Sequence, residues 1–377
     1  MMPVLPAQVG CGDHYGGVTH LATGHADNPG STDLHYSDPP SYLDWSDSGR
    51  GSGWRYLSGT VLILLLWFVG QVFVIIPALL ALGGDFSPDG TFTTPAPWGN
   101  LLISLASFIP FFIATPLIVR FLHGRPALTV VTPFLRLNWR LIAWGAGLWL
   151  VPTVLLTIVS LLIRTGEAPR WNYQPGLFWP ALLIGVTLLV VQTSAEELFF
   201  RGYLLQWFRK VTGNVWVMAA FSGLLFGLPH LANPEVAGSS GLEWVPALLV
   251  YFATGFALAA VSVRSGTIEL ALGAHFINNF VNIVFITAEN SALGTPSLWV
   301  DGAPGVFEAA AGSVISAAVF IGLAWRFRGQ GRLRPLQPPR TPTPPTPASP
   351  PAGWFPDPLG AAAYRWWDGS RWTEHIG

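Results

Sequence analysis

The stretch "VQTSAEELFFRG", residues 191–202, closes the apolar run "GLFWPALLIGVTLLV", residues 176–190. The run is long enough to enter a bilayer, yet Glu196, Glu197 and Arg201 follow at its end. A charge at membrane depth costs several kcal/mol, so such groups pair with one another or face a water-filled cavity. Glu197 and Arg201 are spaced i, i+4 with the acid first, the favourable order for an ion pair on one helical face. Adjacent helical residues point about 100° apart, so the two glutamates face differently. Glu197 is then neutralised by Arg201, and Glu196 is aimed into a cavity.

Composition places this stretch in a polytopic membrane protein. The chain has 377 residues, 51% of them hydrophobic and only 10% charged, where a soluble domain carries about 25%. A net charge of −1 leaves no electrostatic footprint for nucleic acid. Lys210 is the only lysine, and arginine carries the rest of the positive charge. The single cysteine, Cys11, excludes intramolecular disulfides and cysteine metal clusters. Residues 1–54 are polar, and no cleavable signal is expected there.

Eight apolar segments approach the length of about 20 residues that a membrane span requires. They cover 58–82, 99–121, 141–163, 177–200, 214–230, 245–263, 267–288 and 306–325. The expected fold is therefore all-α: a bundle of eight transmembrane helices. With a cytoplasmic N-terminus, the inside loops hold Arg120, Arg125, Arg136, Arg140, Arg209, Lys210 and Arg264, and Arg326, Arg328, Arg332, Arg334 and Arg340 stand just behind the last span. The outside loops hold only Arg164 and Arg170. Positive charge collects on the cytoplasmic side of membrane proteins, so both termini are expected there, in a cell membrane of bacterial type.

Four parts follow along the chain. Residues 1–56 read as a disordered polar tail, whose His14, His20, His25 and His35 fit no metal-site spacing. Residues 57–326 form the membrane domain. Residues 327–350 are a proline-rich linker, semi-rigid in polyproline II form. Residues 351–377 pack Trp354, Phe355, Tyr364, Trp366, Trp367 and Trp372 around a "WDG" turn signal, and are expected to form a small cytoplasmic β-rich module. Its pattern is similar to a short domain of unknown function common in high-GC Gram-positive bacteria, and a protein partner is expected for it.

Two further segments carry polar pairs. Phe226 and His230 stand i, i+4 in "FGLPH", and His275 and Asn279 stand i, i+4 in "HFINN". Taken singly, each has a structural reading: ion pair, headgroup contact or interhelical hydrogen bond. Together they point to one cavity holding a carboxylate, two imidazoles and an amide. Two hydrolytic chemistries suit that set. Glu196, His230 and His275 could bind one zinc ion with water in the fourth position. Alternatively Glu196 and His230 activate a water without metal, and His275 with Asn279 donate to the oxyanion. Gly223 and Gly227 form a small-xxx-small pair that would let a neighbouring helix approach closely.

Glu-Glu-x-x-x-Arg, Phe-x-x-x-His and His-x-x-x-Asn, in this order on successive membrane segments, resemble the CPBP family of CAAX-prenyl and bacteriocin-processing intramembrane proteases. The resemblance implies an α-helical membrane peptidase acting on membrane-associated peptides. It implies Glu196 as catalytic base, His230 as its partner, His275 and Asn279 as oxyanion or ligand pair, and Glu197 with Arg201 in support. The family is described both as metalloprotease and as metal-free. Two other functions compete. A non-enzymatic scaffold or immunity-type protein would recruit partners through residues 351–377. A transporter would show internal symmetry, and no repeat is visible. Straight, full-length helices would place His230 and Glu196 at different depths, so the segment 214–230 is expected to be short, broken or re-entrant.

Overall fold

The computed structural model describes residues 41–87, 92–163, 168–233, 236, 241–288, 297–302, 305–327 and 350–377. A short 3-10 helix, Tyr42–Asp47, precedes α1 (Gly53–Leu82), α2 (Pro97–Ala106), α3 (Ile109–Phe121) and α4 (Trp139–Ile163). Then come α5 (Pro175–Glu196), a π-helical continuation over Glu197–Leu204, and α6 (Leu205–Phe208). The rest of the bundle is α7 (Val215–His230), α8 (Trp244–Ser265), α9 (Glu269–Val284) and α10 (Val306–Ala324).

Among the described residues, six helices are long and apolar enough to cross a membrane. They are α1, α2 with α3, α4, the α5–α6 stretch, α8 and α10. Their outer faces carry Phe73, Leu80 and Leu162 fully in the open, as expected of surfaces that meet acyl chains rather than water. All eight expected segments are helical, but α7 and α9 hold only 16 residues each. At 1.5 Å per residue each rises about 24 Å, short of a hydrocarbon core of about 30 Å. The expectation of a short fifth segment agrees with this.

Two close helix contacts fix the centre of the bundle. A Cβ on Gly273 of α9 would lie 1.8 Å from the Ile142 carbonyl oxygen of α4, and one on Gly145 would lie 2.0 Å from the Leu270 carbonyl oxygen. Only glycine admits that approach. Asn138 with Glu269, and Trp149 with Asn278, pair along the same two helices, so α4 and α9 run parallel. On α7, a Cβ at Gly223 would lie 2.9 Å from the Phe252 carbonyl oxygen of α8, and one at Gly227 would lie 2.9 Å from the Leu248 side chain. The small-xxx-small pair thus packs α7 onto α8.

Short strands tie the ends together. β1 (Asp85–Phe86) pairs antiparallel with β2 (Phe92–Thr93). β3 (Arg170–Trp171), just ahead of α5, pairs antiparallel with β5 (Trp299–Asp301), and β5 pairs parallel with β4 (Ile286–Ala288), just behind α9. That sheet brings the start of α5 and the end of α9 to one end of the bundle.

Residues 41–56, expected to belong to a disordered tail, are ordered. Tyr42 and Leu43 are fully buried, Ser41 caps the 3-10 turn, and α1 begins at Gly53. Two large apolar side chains repay the ordering of this segment, which composition alone conceals. Residues 1–40, with the four tail histidines, and linker residues 328–349 lie outside the described residues.

The C-terminal segment forms the expected β module: β6 (Gly353–Pro356), β7 (Tyr364–Trp367) and β8 (Trp372–Ile376), antiparallel in that order. Trp354 stands opposite Trp366, and Trp367 opposite Trp372. The turn is built as its sequence predicts. Asp368 accepts from the Ser370 and Arg371 amides, and Gly369 takes φ +100°. The Asp357 carboxylate accepts from Arg365 and from the amides of Leu359, Ala361 and Ala362.

Candidate active site

The helical ladder changes register where the charges begin. The chain leaves α5 at Glu196 and continues as the π-helix Glu197–Leu204, every residue of which is buried. Such π segments are rare and concentrate at functional sites. Arg201 Nη1 lies 3.0 Å from Glu197 Oε1, and both side chains are completely sequestered. The guanidinium also donates to the Gly255 carbonyl at 3.4 Å and stands 4.3 Å over the Phe226 ring. The expected ion pair is present, with an aromatic face as its third wall.

His275 of α9 joins the two glutamates. Its Nδ1 lies 2.7 Å from Glu197 Oε1, and its Nε2 lies 3.4 Å from Glu196 Oε2. Glu197 Oε1 therefore receives both the guanidinium and the imidazole. Glu196 Oε2 is buried with no hydrogen-bond partner among the described residues. A buried carboxylate oxygen left open is costly unless something else occupies the space before it.

Asn279 lies one turn further along α9. Its Nδ2 donates to Gln192 Oε1 at 3.3 Å and lies 3.4 Å from His275 Nε2. Gln192 and Glu196 step one turn along α5 while Asn279 and His275 step one turn back along α9, so the two helices are antiparallel with matched periods. Behind them, Asn278 Nδ2 donates to Asn279 Oδ1 at 2.9 Å, and Trp149 Nε1 donates to Asn278 Oδ1 at 3.1 Å. The amide of Asn279 is thereby fixed in orientation from two sides.

His230 stands at the edge of this cluster, half-buried at the end of α7. Its Nδ1 lies 2.7 Å from the Phe226 carbonyl, which makes Nδ1 the donor and leaves Nε2 with no hydrogen-bond partner among the described residues. Its ring stacks on Tyr251 at 4.4 Å and lies 4.6 Å from the Phe226 ring, which in turn is 5.6 Å from the His275 ring. The imidazole nearest Glu196 is therefore that of His275, and His230 is one aromatic ring removed. Glu196 and His230, expected to act on a water together, share no hydrogen bond or ion pair among the described residues. The shortness of α7 is what keeps its last residue level with the cluster.

The zinc set of Glu196, His230 and His275 fits this arrangement poorly. Among the described residues no three His, Cys, Asp or Glu side chains are gathered as metal ligands. His275 spends Nδ1 on Glu197 and turns Nε2 to Glu196 and the Asn279 amide.

Sequence reasoning missed Gln192, Asn278, Trp149 and Tyr251. Gln192 is one turn ahead of Glu196, and extending the i, i+4 rule backwards would have found it. Trp149 and Tyr251 carry no local signal, since aromatic residues in membrane helices usually only pack.

Helices of membrane length enclosing a buried carboxylate–imidazole–amide cluster define a multi-pass membrane protein with a site sunk among its spans. The chain belongs to the Rce1-like family: the family model described as type II CAAX prenyl endopeptidase Rce1-like matches residues 178–281. That match holds all six expected site residues. The chain is also 33% identical over 257 residues to the uncharacterized protein YyaK of Bacillus subtilis (strain 168), covering 67% of this chain and 84% of that relative. Residues 352–377 match a domain of unknown function, DUF2510.

Proposed function

We propose that the protein is an intramembrane endopeptidase that hydrolyses peptide bonds of membrane-associated substrates with a glutamate-activated water. The observation that carries this reading is the open, buried Glu196 Oε2 facing His275 Nε2, with the Asn279 amide beside it. Glu196 takes a proton from water as its oxygen adds to the scissile carbonyl carbon. Asn279 Nδ2, oriented by Gln192 and Asn278, donates to the oxyanion as the tetrahedral intermediate forms. The carbon–nitrogen bond then breaks, and the proton held by Glu196 passes to the departing amine. His275, anchored on Glu197, stabilises the Glu196 carboxylate before it takes the proton and again after it gives it up. His230, with Nδ1 fixed on a backbone carbonyl, offers Nε2 as a second proton carrier at the rim.

Both termini face the cytoplasm in this reading. Six or eight crossings each return the chain to its starting side, and the arginine bias selects that side. The substrate class is a membrane-embedded or membrane-associated peptide; a prenyl group on it is not required by any residue named above. Trp354 and Trp372, both exposed on the C-terminal sheet, favour recruitment of a cytoplasmic protein to the module as a separate role.

The test compares purified protein in detergent with its Glu196→Ala variant on a peptide library. Cleavage by wild type alone is expected; equal cleavage by both removes the proposal.

A further inference from the structure

The 3-10 turn Tyr42–Asp47 lies outside the matched family region and outside every expected site residue, yet it reaches the candidate active site. The Tyr42 hydroxyl donates to the Arg201 carbonyl at 2.7 Å, inside the π-helix. The Tyr42 amide donates to the Gly266 carbonyl at 2.9 Å, at the end of α8. Its own carbonyl accepts from Gln206 Nε2 at 2.8 Å, and that amide also donates to the Thr129 carbonyl at 2.6 Å. Gln206 Oε1 in turn accepts from Arg125 Nη2 at 3.0 Å, and Arg125 Nη1 donates to the Trp45 carbonyl in the same turn. One buried residue is thus fixed at its amide to the end of α8 and at its carbonyl and hydroxyl to the α5–α6 stretch.

The hydroxyl bond matters most because of where it lands. A π-helix exchanges i−4 for i−5 hydrogen bonding and is held only where its surroundings dictate it. Arg201 is the residue whose guanidinium grips Glu197, and Glu197 holds His275, which faces Glu196. Burial, and after it the negative charge of Glu197, raise the Tyr42 hydroxyl well above the ordinary tyrosine range, so it stays protonated and remains a donor. Leu43, equally buried in the same turn, makes no side-chain hydrogen bond and serves as the internal comparison.

We infer that Tyr42 is a positioning residue for the proposed peptidase site: its hydroxyl fixes the Arg201 backbone and thereby the register of Arg201, Glu197 and His275. This rests on the proposed function for its kinetic consequence, but not for its structural one.

The experiment uses the full chain in detergent, labelled with ¹⁵N-histidine, in wild-type, Tyr42→Phe and Leu43→Ala forms. The His275 imidazole signal is assigned by its loss in His275→Gln. Tyr42→Phe is expected to move that signal and to lower kcat about tenfold, the weight of one hydrogen bond, with KM within about twofold. Leu43→Ala lowers the melting temperature but leaves the signal in place. An unmoved His275 signal in Tyr42→Phe, or an equal movement in Leu43→Ala, overturns the inference. If the wild type cleaves nothing, the peptidase reading fails, while the imidazole signal still decides the role of Tyr42.

Discussion

Gly273→Ala is the most exacting test of the architecture that carries His275. The added Cβ would lie 1.8 Å from the Ile142 carbonyl oxygen, and also 2.8 Å from its carbon and 2.9 Å from the Ala146 nitrogen. All three atoms are backbone, so no side chain can swing aside. Restoring an ordinary contact of 3.4 Å means that α9 must move 3.4 − 1.8 = 1.6 Å away from α4. His275 is two residues along α9, with contacts of 2.7 Å to Glu197 and 3.4 Å to Glu196. Neither survives a displacement of that size unchanged. Overpacking of this kind costs about 1–3 kcal/mol in stability. Activity should suffer more, because a misplacement of about 1 Å at a reacting group can cost roughly 100-fold. The control is Gly147→Ala on the exposed face of α4, where an added Cβ meets nothing within 4 Å. That change should be neutral or slightly stabilising, since alanine is the better helix former by about 1 kcal/mol. Thermal melting in detergent and peptide hydrolysis on both variants measure the two effects. If Gly273→Ala melts and cleaves like Gly147→Ala, α9 is not held against α4 as described, and the placement of His275 loses its support.

Three further outcomes are expected. Arg201→Ala strands the fully buried Glu197 carboxylate beside His275 and should cost about 3–5 kcal/mol; Glu197→Gln combined with Arg201→Met should recover much of the melting temperature without recovering hydrolysis. His123, buried in the turn after α3, donates Nδ1 to the Arg50 carbonyl and accepts from the Tyr203 hydroxyl at Nε2. Burial, and then the Arg125 charge, lower its pKa to about 4. Between about pH 6.5 and 4 the unfolded chain binds a proton that the folded one refuses, so stability should fall with pH over that window by at most about 1.4 kcal/mol per unit; His123→Asn should flatten the melting profile there. Truncation after Phe327 should leave peptide hydrolysis intact, because every residue assigned to the proposed site or to its positioning precedes Phe327, and a loss of kcat in the truncated protein would contradict that assignment.

The sequence by itself determined the membrane class, the eight helical segments and the Trp-rich β module, and it singled out the polar pairs that three of those helices carry. These follow from local quantities. Apolar runs need no distant partner to declare themselves, and the i, i+4 spacings of Glu197–Arg201, Phe226–His230 and His275–Asn279 place each pair on one helical face in any fold. The tertiary structure alone decided how the pairs divide their work. It set His275, and not His230, against Glu196, because α5 and α9 pack antiparallel while α7 stops after 16 residues with its last side chain behind Phe226. It also drew Tyr42 out of a segment that reads as polar tail and bonded it to a carbonyl 159 residues away. Separations of that kind leave no trace in local periodicity, since they are fixed by helix packing and by which buried polar groups find partners.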